Sequence, residues 1–237
     1  MPHIATLEVD AILFDMDGTL VDSTAGLAGA WETFAKSYPE IDVAHILATS
    51  HGVRTVDNLI KFCGITDPIT LESEAERFEN AIVESASRSG GKGIVMLPGA
   101  KKLLTELSSA RHLPNPLWAI CTSAKRKYGS AAMGITGLPV PDVCVMAEDV
   151  QNGKPHPEPY FTGASRCGVN PEKCIVIEDS PNGIRSGKAA GCKTLAVLTS
   201  HTRVQMEAVH PDFIVDDLRS LSVELLEKGV RLTIDTA

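Results

Sequence analysis

The chain has 237 residues, of which 43% are hydrophobic and 22% charged, values typical of a globular protein with a sizeable buried core. Its formal net charge is −8 and its basic residues form only short clusters, so we expect no nucleic-acid partner. No stretch approaches the ~18 consecutive apolar residues of a membrane span, so we also expect no membrane partner.

Six cysteines are spread along the chain without a C-x-x-C pair or a zinc-like spacing. Several lie in apolar runs, where cysteine behaves as a small buried hydrophobe. The amino-terminal residues lack the basic and apolar segments that are typical of a signal peptide. We therefore expect reduced thiols and a cytoplasmic location. No interface signature stands out, so a monomer is the default expectation.

Six short apolar runs predict β-strands, and helix-length segments separate most of them. In chain order the runs are Ala11–Phe14, Leu117–Cys121, Val143–Met146, Cys174–Ile177, Thr194–Leu198 and Phe213–Val215. Runs of this length between helices are typical of parallel strands that are buried on both faces. We therefore predict an α/β fold, a Rossmann-like open parallel sheet with helices on both faces.

Three of the intervening helices have recognisable ends. The first opens at Pro98-Gly99, and the second extends over residues 157–167. The third has Ser180 at its N-cap and Pro181 at its first position, and Gly191 suits its end. Helices at these places would connect the predicted strands in a parallel sheet.

The stretch from about residue 23 to 90 breaks this alternation, because apolar residues recur in it at helical spacing. Examples are Leu27, Trp31, Phe34, Val56, Leu59, Ile60 and Phe62. A run rich in serine and glycine, residues 89–93, closes the stretch. We predict a small all-helical cap domain at residues 23–90, inserted after the first strand. Residues 1–22 and 91–237 would then form the core domain.

Two carboxylates follow the first predicted strand, Asp15 and Asp17 in the sequence D-M-D-G-T. Such a pair can serve two roles, because one carboxylate can attack phosphorus while the other protonates the leaving oxygen and later activates water. Gly18 permits a sharp exit of the chain from the strand. The alternative for this motif, taken alone, is an acidic turn without catalytic function.

Further polar residues lie in a loop and after later strands. Thr122 and Ser123 follow the second strand, where hydroxyl and backbone N–H groups can hold phosphate oxygens. Lys154 lies in a proline-flanked loop and can neutralise phosphate charge. Glu178 and Asp179 follow the fourth strand and offer the oxygen ligands that Mg²⁺ prefers. Taken singly, each motif has an ordinary alternative: a helix cap, a solvated lysine or an acidic turn.

The order of these groups resembles the haloacid dehalogenase-like superfamily. An aspartate pair, a hydroxyl, a lysine and an acidic pair follow one another at the ligand-binding edge of one predicted sheet. The resemblance implies that Asp15 is the nucleophile, which becomes an aspartyl-phosphate, and that Asp17 is the general acid and base. It favours phosphoryl transfer over dehalogenation, because dehalogenases of the superfamily lack the second aspartate.

The same resemblance assigns the remaining groups and the cofactor. It implies that phosphate is bound by Thr122, Ser123 and Lys154. It implies an Mg²⁺ site made by Asp15, Asp179, the nearby Glu178 and the backbone carbonyl of Asp17. The metal would bridge the nucleophile and the phosphate and offset the repulsion between two anions.

The predicted helical segment resembles the small cap of the superfamily's first class, which closes over small substrates. Residues 50–55 and 152–160 are similar to the fungal glycerol phosphatases and 2-deoxyglucose-6-phosphatases. This resemblance implies a phosphatase that acts on a small phosphorylated polyol or sugar. It makes His51 and Arg54 candidates for contacts between the cap and the substrate. Their alternatives are a helix cap and a surface salt bridge.

The chain departs from these relatives after the Thr-Ser pair, where they usually have glycine and this chain has Ala124, followed by Lys125. The alanine restricts the backbone near the expected phosphate site, and the lysine adds a charge there. We interpret Tyr128 and Met133 as packing residues of the next helix. Asn182 is a candidate hydrogen-bond partner of the metal-site acids, with a turn residue as the alternative.

Two other functions stay open. A sugar-phosphate mutase of the β-phosphoglucomutase type would use Asp15 and Asp17 in the same way, and Arg54 lies where such mutases hold the second phosphate. A non-catalytic regulatory protein is the other alternative, and the complete motifs argue against it. The product separates the two enzymes, since a phosphatase releases free phosphate and a mutase isomerises a sugar phosphate.

Overall fold

The computed structural model describes residues 4–50, 52–88, 93–112 and 116–236, which form eleven strands and nine α-helices. The strands are β1 (Ile4–Val9), β2 (Ala11–Phe14), β3 (Val21–Asp22), β4 (Val95–Met96), β5 (Trp118–Cys121), β6 (Cys144–Val145), β7 (Cys174–Glu178), β8 (Lys193–Val197), β9 (Phe213–Val215), β10 (Leu221–Leu225) and β11 (Val230–Asp235). The helices are α1 (Thr24–Ala35), α2 (Val43–Thr49), α3 (Thr55–Cys63), α4 (Pro68–Arg88), α5 (Ala100–Glu106), α6 (Arg126–Thr136), α7 (Glu158–Arg166), α8 (Pro181–Ala189) and α9 (Arg203–Glu207).

Six strands form the central sheet in the order β6-β5-β2-β7-β8-β9, and all neighbouring pairs are parallel. At the centre, Phe14 of β2 lies between Ile120 of β5 and Ile177 of β7. Each predicted strand is present, with ends that differ from the predicted ones by one residue at most. The parallel pairing confirms the predicted α/β core.

The side chains of the central strands alternate between two hydrophobic cores, because successive residues of a strand point to opposite faces. In β2, Ile12 and Phe14 contribute to the larger core, whereas Ala11 and Leu13 contribute to a smaller one. Helix α7 supplies Tyr160 to the smaller core. Burial on both faces explains why these strands are continuous apolar runs in the sequence.

Helices α5, α7 and α8 correspond to the three predicted helices. At the start of α8 the Ser180 hydroxyl accepts a hydrogen bond from the Gly183 N–H at 3.1 Å, and Pro181 is the first helical residue. Gly191 follows the end of α8 with φ of +89°, in the left-handed region that favours glycine. The predicted cap residues of this helix are confirmed.

Helices α1 to α4 lie between β3 and β4, which pair as a short antiparallel ribbon. The pairing places Val21 opposite Met96, so the two ends of the helical segment lie side by side. Inside the segment the ring of Phe78 lies 4.4 Å from that of Trp31 and 4.9 Å from that of Phe34, measured between centroids. These rings join the larger core of the central sheet, so the four helices pack on the sheet domain.

A second sheet, with strand order β1-β11-β10, is antiparallel and is absent from the predicted elements. It joins the two ends of the chain, since Ile4 lies opposite Asp235 and Val9 opposite Val230. The strand predicted to be the first of the chain is therefore the second. One face of this sheet contributes to the larger core, with Leu232 fully buried.

None of the described helices is long and apolar enough to cross a lipid bilayer. All six cysteines lie in the described ranges, and none is joined to another by a disulfide. Four of the thiols are buried, those of Cys121, Cys167, Cys174 and Cys192. They pack in the smaller core as hydrophobic side chains.

Candidate active site

Polar side chains meet at the carboxyl edge of the central sheet. Asp15 follows β2, Thr122 follows β5 and Glu178 is the last residue of β7. Because these three strands are parallel neighbours, their carboxyl ends lie together, at the edge where open α/β sheets bind ligands. The predicted site residues that the structure brings together here are Asp15, Asp17, Thr122, Ser123, Lys154, Glu178 and Asp179.

Lys154 reaches this edge from the loop between β6 and α7, and its side chain is fully buried. Its Nζ donates hydrogen bonds to Asp15 Oδ1 at 2.6 Å and to Glu178 Oε1 at 2.8 Å. The Tyr160 hydroxyl donates to the same Glu178 oxygen at 3.0 Å. The alternative of a solvated lysine is therefore excluded, and Lys154 is the cation that links two buried acids.

This cluster contains three buried acids, Asp15, Glu178 and Asp179, beside the single cation Lys154, and the pKa values of two of these acids are raised. Burial raises the pKa of Asp15 to about 7, although the charge of Lys154 lowers it. Burial also opposes ionisation of Glu178, but Lys154 and hydrogen bonds from Ser180 bring its pKa below the ordinary value. The pKa of Asp179 is raised well above its ordinary value by burial and by the charges of Glu178 and Asp15. The cluster therefore favours a further cation.

The three acids fit a hard divalent cation. One carboxylate oxygen from each of Asp15, Glu178 and Asp179 lies within 4.8 Å of the others. Asp15 Oδ2 and both Asp179 oxygens are buried without a hydrogen-bond partner among the described residues, which costs free energy unless another group binds them. A Cβ at Gly18, where φ is +86°, would lie 2.0 Å from Asp179 Oδ2. Glycine therefore keeps space open beside these oxygens.

Two hydroxyl groups hold the Asp17 side chain. Ser23 Oγ and the Tyr128 hydroxyl each donate a hydrogen bond to Asp17 Oδ1, both at 2.6 Å. Burial raises the pKa of Asp17, although both hydrogen bonds lower it. The interpretation of Tyr128 as a packing residue alone is wrong, because its hydroxyl contacts a site acid that is 111 positions away in the sequence. Met133 does pack in the larger core.

The loop after β5 is fixed by its own hydroxyls. The Thr122 hydroxyl accepts a hydrogen bond from the Ala124 N–H at 3.0 Å, which closes a tight turn. The Ser123 hydroxyl donates to the backbone carbonyl of Gly52 at 3.1 Å. The first bond therefore shapes the loop beside Asp15, and the second joins that loop to the helical segment.

A cavity of about 80 Å³ lies beside these groups. The sheet edge contributes Asp15 and Asp17 to its lining, together with Thr122 and Ser123. The helical segment contributes five apolar side chains, which are Leu27, Trp31, Val53, Phe78 and Ile82, and four polar ones, which are Ser23, Ser50, Thr55 and Asn58. A molecule in this cavity would therefore contact carboxylates and hydroxyls from the sheet edge and both apolar and polar side chains from the helical segment.

Arg54, a predicted substrate contact, lies where the helical segment meets the loop before α7. Its Nε donates to Asp57 at 2.8 Å, its Nη2 donates to the same carboxylate at 3.1 Å, and its Nη1 donates to the Gln151 carbonyl at 3.0 Å. Arg54 is not one of the described residues that line the cavity containing Asp15. Its guanidinium ties α3 to the core loop in this structure.

His51, the other predicted contact between the cap and the substrate, lies outside the described residues. Asn182 is near the start of α8, and its side chain accepts a hydrogen bond from Arg185 at 3.1 Å. Ala124 is buried and lines the cavity, so the departure from glycine is next to the site.

One face of α4 contacts the segment that follows β5. Lys125 Nζ pairs with Glu72, and Lys127 Nζ pairs with Glu76 at 2.7 Å. The backbone N–H of Lys125 donates to Glu79 Oε1 at 3.2 Å. The three glutamates recur at helical spacing and lie on one face of α4. The charge that Lys125 adds is therefore used in a contact with the helical segment.

Glu79 is the buried member of this face, with 3% of its surface exposed, and it carries a pH prediction. Burial raises its pKa to about 7, although hydrogen bonds from the Lys125 N–H and the Thr55 hydroxyl lower it. A carboxyl group with a raised pKa in the folded state stabilises the protein less as pH rises through that value. We therefore expect the free energy of unfolding of Glu79→Gln to increase relative to that of the wild type, by about 1–3 kcal/mol, as pH rises from about 4.5 to about 7.

Urea unfolding at several pH values measures this difference. Glu76→Gln is the matched control, because Glu76 lies on the same helix face and is exposed. We expect the control to differ from the wild type by the same small amount at every pH. A difference between Glu79→Gln and the wild type that does not change with pH would contradict the prediction.

Comparisons with known proteins identify the family of this chain. The family described as haloacid dehalogenase-like hydrolase matches residues 9–191. Glycerol-1-phosphate phosphohydrolase 1 of Saccharomyces cerevisiae is 34% identical over 225 residues, which cover 92% of this chain and 86% of that protein. Hexitol phosphatase A of Escherichia coli is 37% identical over 220 residues, which cover 92% of this chain and 95% of that protein.

A solved structure shows the same fold. The β-phosphoglucomutase of Clostridium difficile matches with a TM-score of 0.73 at 22% identity, over 90% of this chain and 93% of that chain. At this identity the likeness concerns the fold and carries no statement about activity. The family match and the two relatives confirm the resemblance that the sequence motifs indicate. This chain belongs to the haloacid dehalogenase-like hydrolases.

Proposed function

We propose that this protein is an Mg²⁺-dependent phosphatase that hydrolyses a small phosphorylated polyol or sugar through an aspartyl-phosphate on Asp15. The observation that carries the proposal is the position of Asp15, which lines the cavity beside Asp17 while Lys154 binds its Oδ1. The names of two relatives support the substrate class, since one is a glycerol-1-phosphate phosphohydrolase and the other a hexitol phosphatase.

The reaction that we propose has two steps, both using Asp15 and Asp17. The Asp15 carboxylate attacks phosphorus while the bond to the leaving oxygen breaks, and Asp17 gives its proton to that oxygen. Water then attacks the aspartyl-phosphate, and Asp17 accepts a proton from it while inorganic phosphate leaves. Thr122, Ser123 and Lys154 would bind the phosphate oxygens, and the Lys154 charge would offset their repulsion by Asp15.

We infer that the cation favoured by the acid cluster is Mg²⁺, because its donors are carboxylate oxygens. Asp15, Asp179 and Glu178 would hold it, with the backbone carbonyl of Asp17. The unpartnered oxygens of Asp15 and Asp179 support this assignment. When bound, the metal supplies positive charge that offsets the repulsion between the nucleophile and the phosphate.

We also propose that residues 23–90 act as a cap over a core of residues 1–22 and 91–237. The β3–β4 ribbon supports this division, because it holds both ends of the helical segment at one place. A cap that closes over the cavity would exclude water from the phosphate site. His51 and Arg54 stay predicted cap contacts with the substrate.

We also propose a cytoplasmic location and a monomeric state for the protein. Six unpaired cysteines suit the reducing conditions of the cytoplasm. A monomer is proposed because no interface signature stands out in the sequence. Cell fractionation and light scattering of the purified protein would test these two statements.

A panel assay tests the proposed function. Phosphate release would be measured with Mg²⁺ for glycerol 1- and 3-phosphate, the phosphates of erythritol, ribitol, sorbitol and mannitol, 2-deoxyglucose 6-phosphate, glucose 6-phosphate and β-glucose 1-phosphate. We expect one polyol or sugar phosphate to exceed the others by ~10² in kcat/KM, because cap contacts of ~1–3 kcal/mol each discriminate such substrates. We expect EDTA to stop turnover.

The products decide between the alternatives. Isomerised sugar phosphate without free phosphate would overturn the phosphatase and favour a mutase. No turnover of any compound would favour a non-catalytic protein. Turnover that EDTA leaves unchanged would overturn the metal assignment while leaving the phosphatase intact.

A further inference from the structure

The hydroxyl of Tyr128 is a functional group that the proposed reaction leaves unassigned. Tyr128 lies in the first turn of α6, directly after the Thr122–Lys125 loop, and only 5% of its surface is exposed. Its hydroxyl donates to Asp17 Oδ1 at 2.6 Å. Ser23 is the residue before α1, and its hydroxyl donates to the same oxygen at the same distance. Asp17 is thus held from two separate elements of the fold.

Two hydrogen bonds to one carboxyl oxygen of Asp17 also determine which of its oxygens carries the proton. An oxygen that accepts two hydrogen bonds serves as the acceptor of the carboxyl group, so the proton of a neutral Asp17 belongs on the other oxygen, Oδ2. Both hydrogen bonds that the described residues make to the Asp17 side chain reach Oδ1. Oδ2 is therefore the oxygen left to face a substrate in the cavity that Asp17 lines.

We infer that Tyr128 is a positioning residue for proton transfer by Asp17, and this inference rests on the proposed function. Tyr128 orients the carboxyl group so that Oδ2–H points to the leaving oxygen when Asp15 attacks phosphorus. The P–O bond to the leaving group breaks, the Oδ2 proton moves to that oxygen and an alcohol leaves. The Asp17 carboxylate then takes a proton from the water that attacks the aspartyl-phosphate, and phosphate is released.

A positioned acid matters most where the leaving group is poor. An alkoxide needs a proton as it departs, whereas p-nitrophenolate is stabilised without one. Losing the Tyr128 hydrogen bond should therefore slow transfer from an alkyl phosphate more than transfer from p-nitrophenyl phosphate. A residue that only supports packing, or that only binds phosphate, would affect both substrates alike.

The test is Tyr128→Phe, which keeps the ring and removes the hydroxyl. With the best alkyl phosphate of the panel we expect kcat to fall ~10–10²-fold, part of the 10²–10⁴ that a general acid contributes, with KM nearly unchanged. With p-nitrophenyl phosphate we expect the first-turnover release of nitrophenolate, measured by stopped flow, to stay within ~3-fold of the wild type. Tyr38→Phe is the matched control, because the Tyr38 hydroxyl binds Glu74 in the helical segment.

A second measurement asks whether Tyr128 acts through Asp17. In an Asp17→Asn background the further change Tyr128→Phe should leave the residual rate unchanged, since the group it positions is gone. Equal losses on both substrates, an additive effect in the double variant, or unchanged kcat with the alkyl phosphate would each overturn the inference. A wild type that releases no phosphate would overturn the proposed function itself, and the inference with it, so the two failures are distinguishable.

Discussion

Asp15→Asn should lower kcat for phosphate release by at least ~10⁴, the size of loss seen when a catalytic nucleophile is removed. The amide is a poor nucleophile, so the aspartyl-phosphate does not form. The change keeps the shape of the side chain and leaves an oxygen to accept the hydrogen bond from Lys154. The defect should therefore appear in turnover and not in folding.

Asp10→Asn is the matched control for this prediction. Asp10 directly precedes β2, at the end of the strand opposite to Asp15, so the same chemical change is made away from the site. We expect the control to keep wild-type turnover. Phosphate release by Asp15→Asn above about 1% of the wild-type rate, with preparations checked for contamination, would show that another group is the nucleophile.

The edge that carries the site could be predicted from the sequence for a physical reason. Strands buried on both faces must be apolar along their whole length, so the polar residues at their ends are conspicuous. Asp15, Thr122 and Glu178 are such residues, and the parallel order of the sheet places them together. The order of motifs resembles that of the haloacid dehalogenase-like superfamily, and this resemblance implies a role for each of these residues.

The second sheet could not be predicted in the same way. Its strands are covered on one face only, so β10 and β11 alternate between apolar and polar residues and lack the continuous apolar runs on which the strand predictions are based. Their pairing joins the two ends of the chain, with Ile4 opposite Asp235, and no local pattern reports such a contact. The alternation in β11, where Val230, Leu232 and Ile234 are buried, is the signal that was present.

Contacts between long side chains that are far apart in the sequence could not be predicted from local patterns either. Tyr128 has the spacing of a packing residue, and only the folded chain shows that its hydroxyl meets Asp17. Lys125 follows Ala124, and its ammonium pairs with Glu72 from a distant helix. Both residues lie just after the Thr122–Ser123 pair, so the segment after this loop is where such contacts should be sought.

Lys154→Met should combine a loss of turnover with a loss of stability. The variant leaves Asp15 and Glu178 buried without the cation that both bind at under 3 Å. Removing one partner of a buried ion pair typically costs about 3–5 kcal/mol, because the remaining charge has no compensation. Since the same ammonium would bind the phosphate, we expect kcat to fall by ~10²–10³ as well. Unfolding in urea and phosphate release measure the two effects.

A double-mutant cycle separates lost charge from lost packing. Lys101→Met, on the exposed side of α5, is the control for the substitution itself and should change neither stability nor turnover. If uncompensated charge is the cause, adding Glu178→Gln to Lys154→Met should restore part of the free energy of unfolding, because one buried carboxylate is removed. In the wild-type background Glu178→Gln should destabilise, since it removes the negative charge beside Lys154 and the second oxygen, which accepts hydrogen bonds from Ser180. Two losses that simply add would show that Lys154 stabilises the fold by packing, and the electrostatic account of the site would fail.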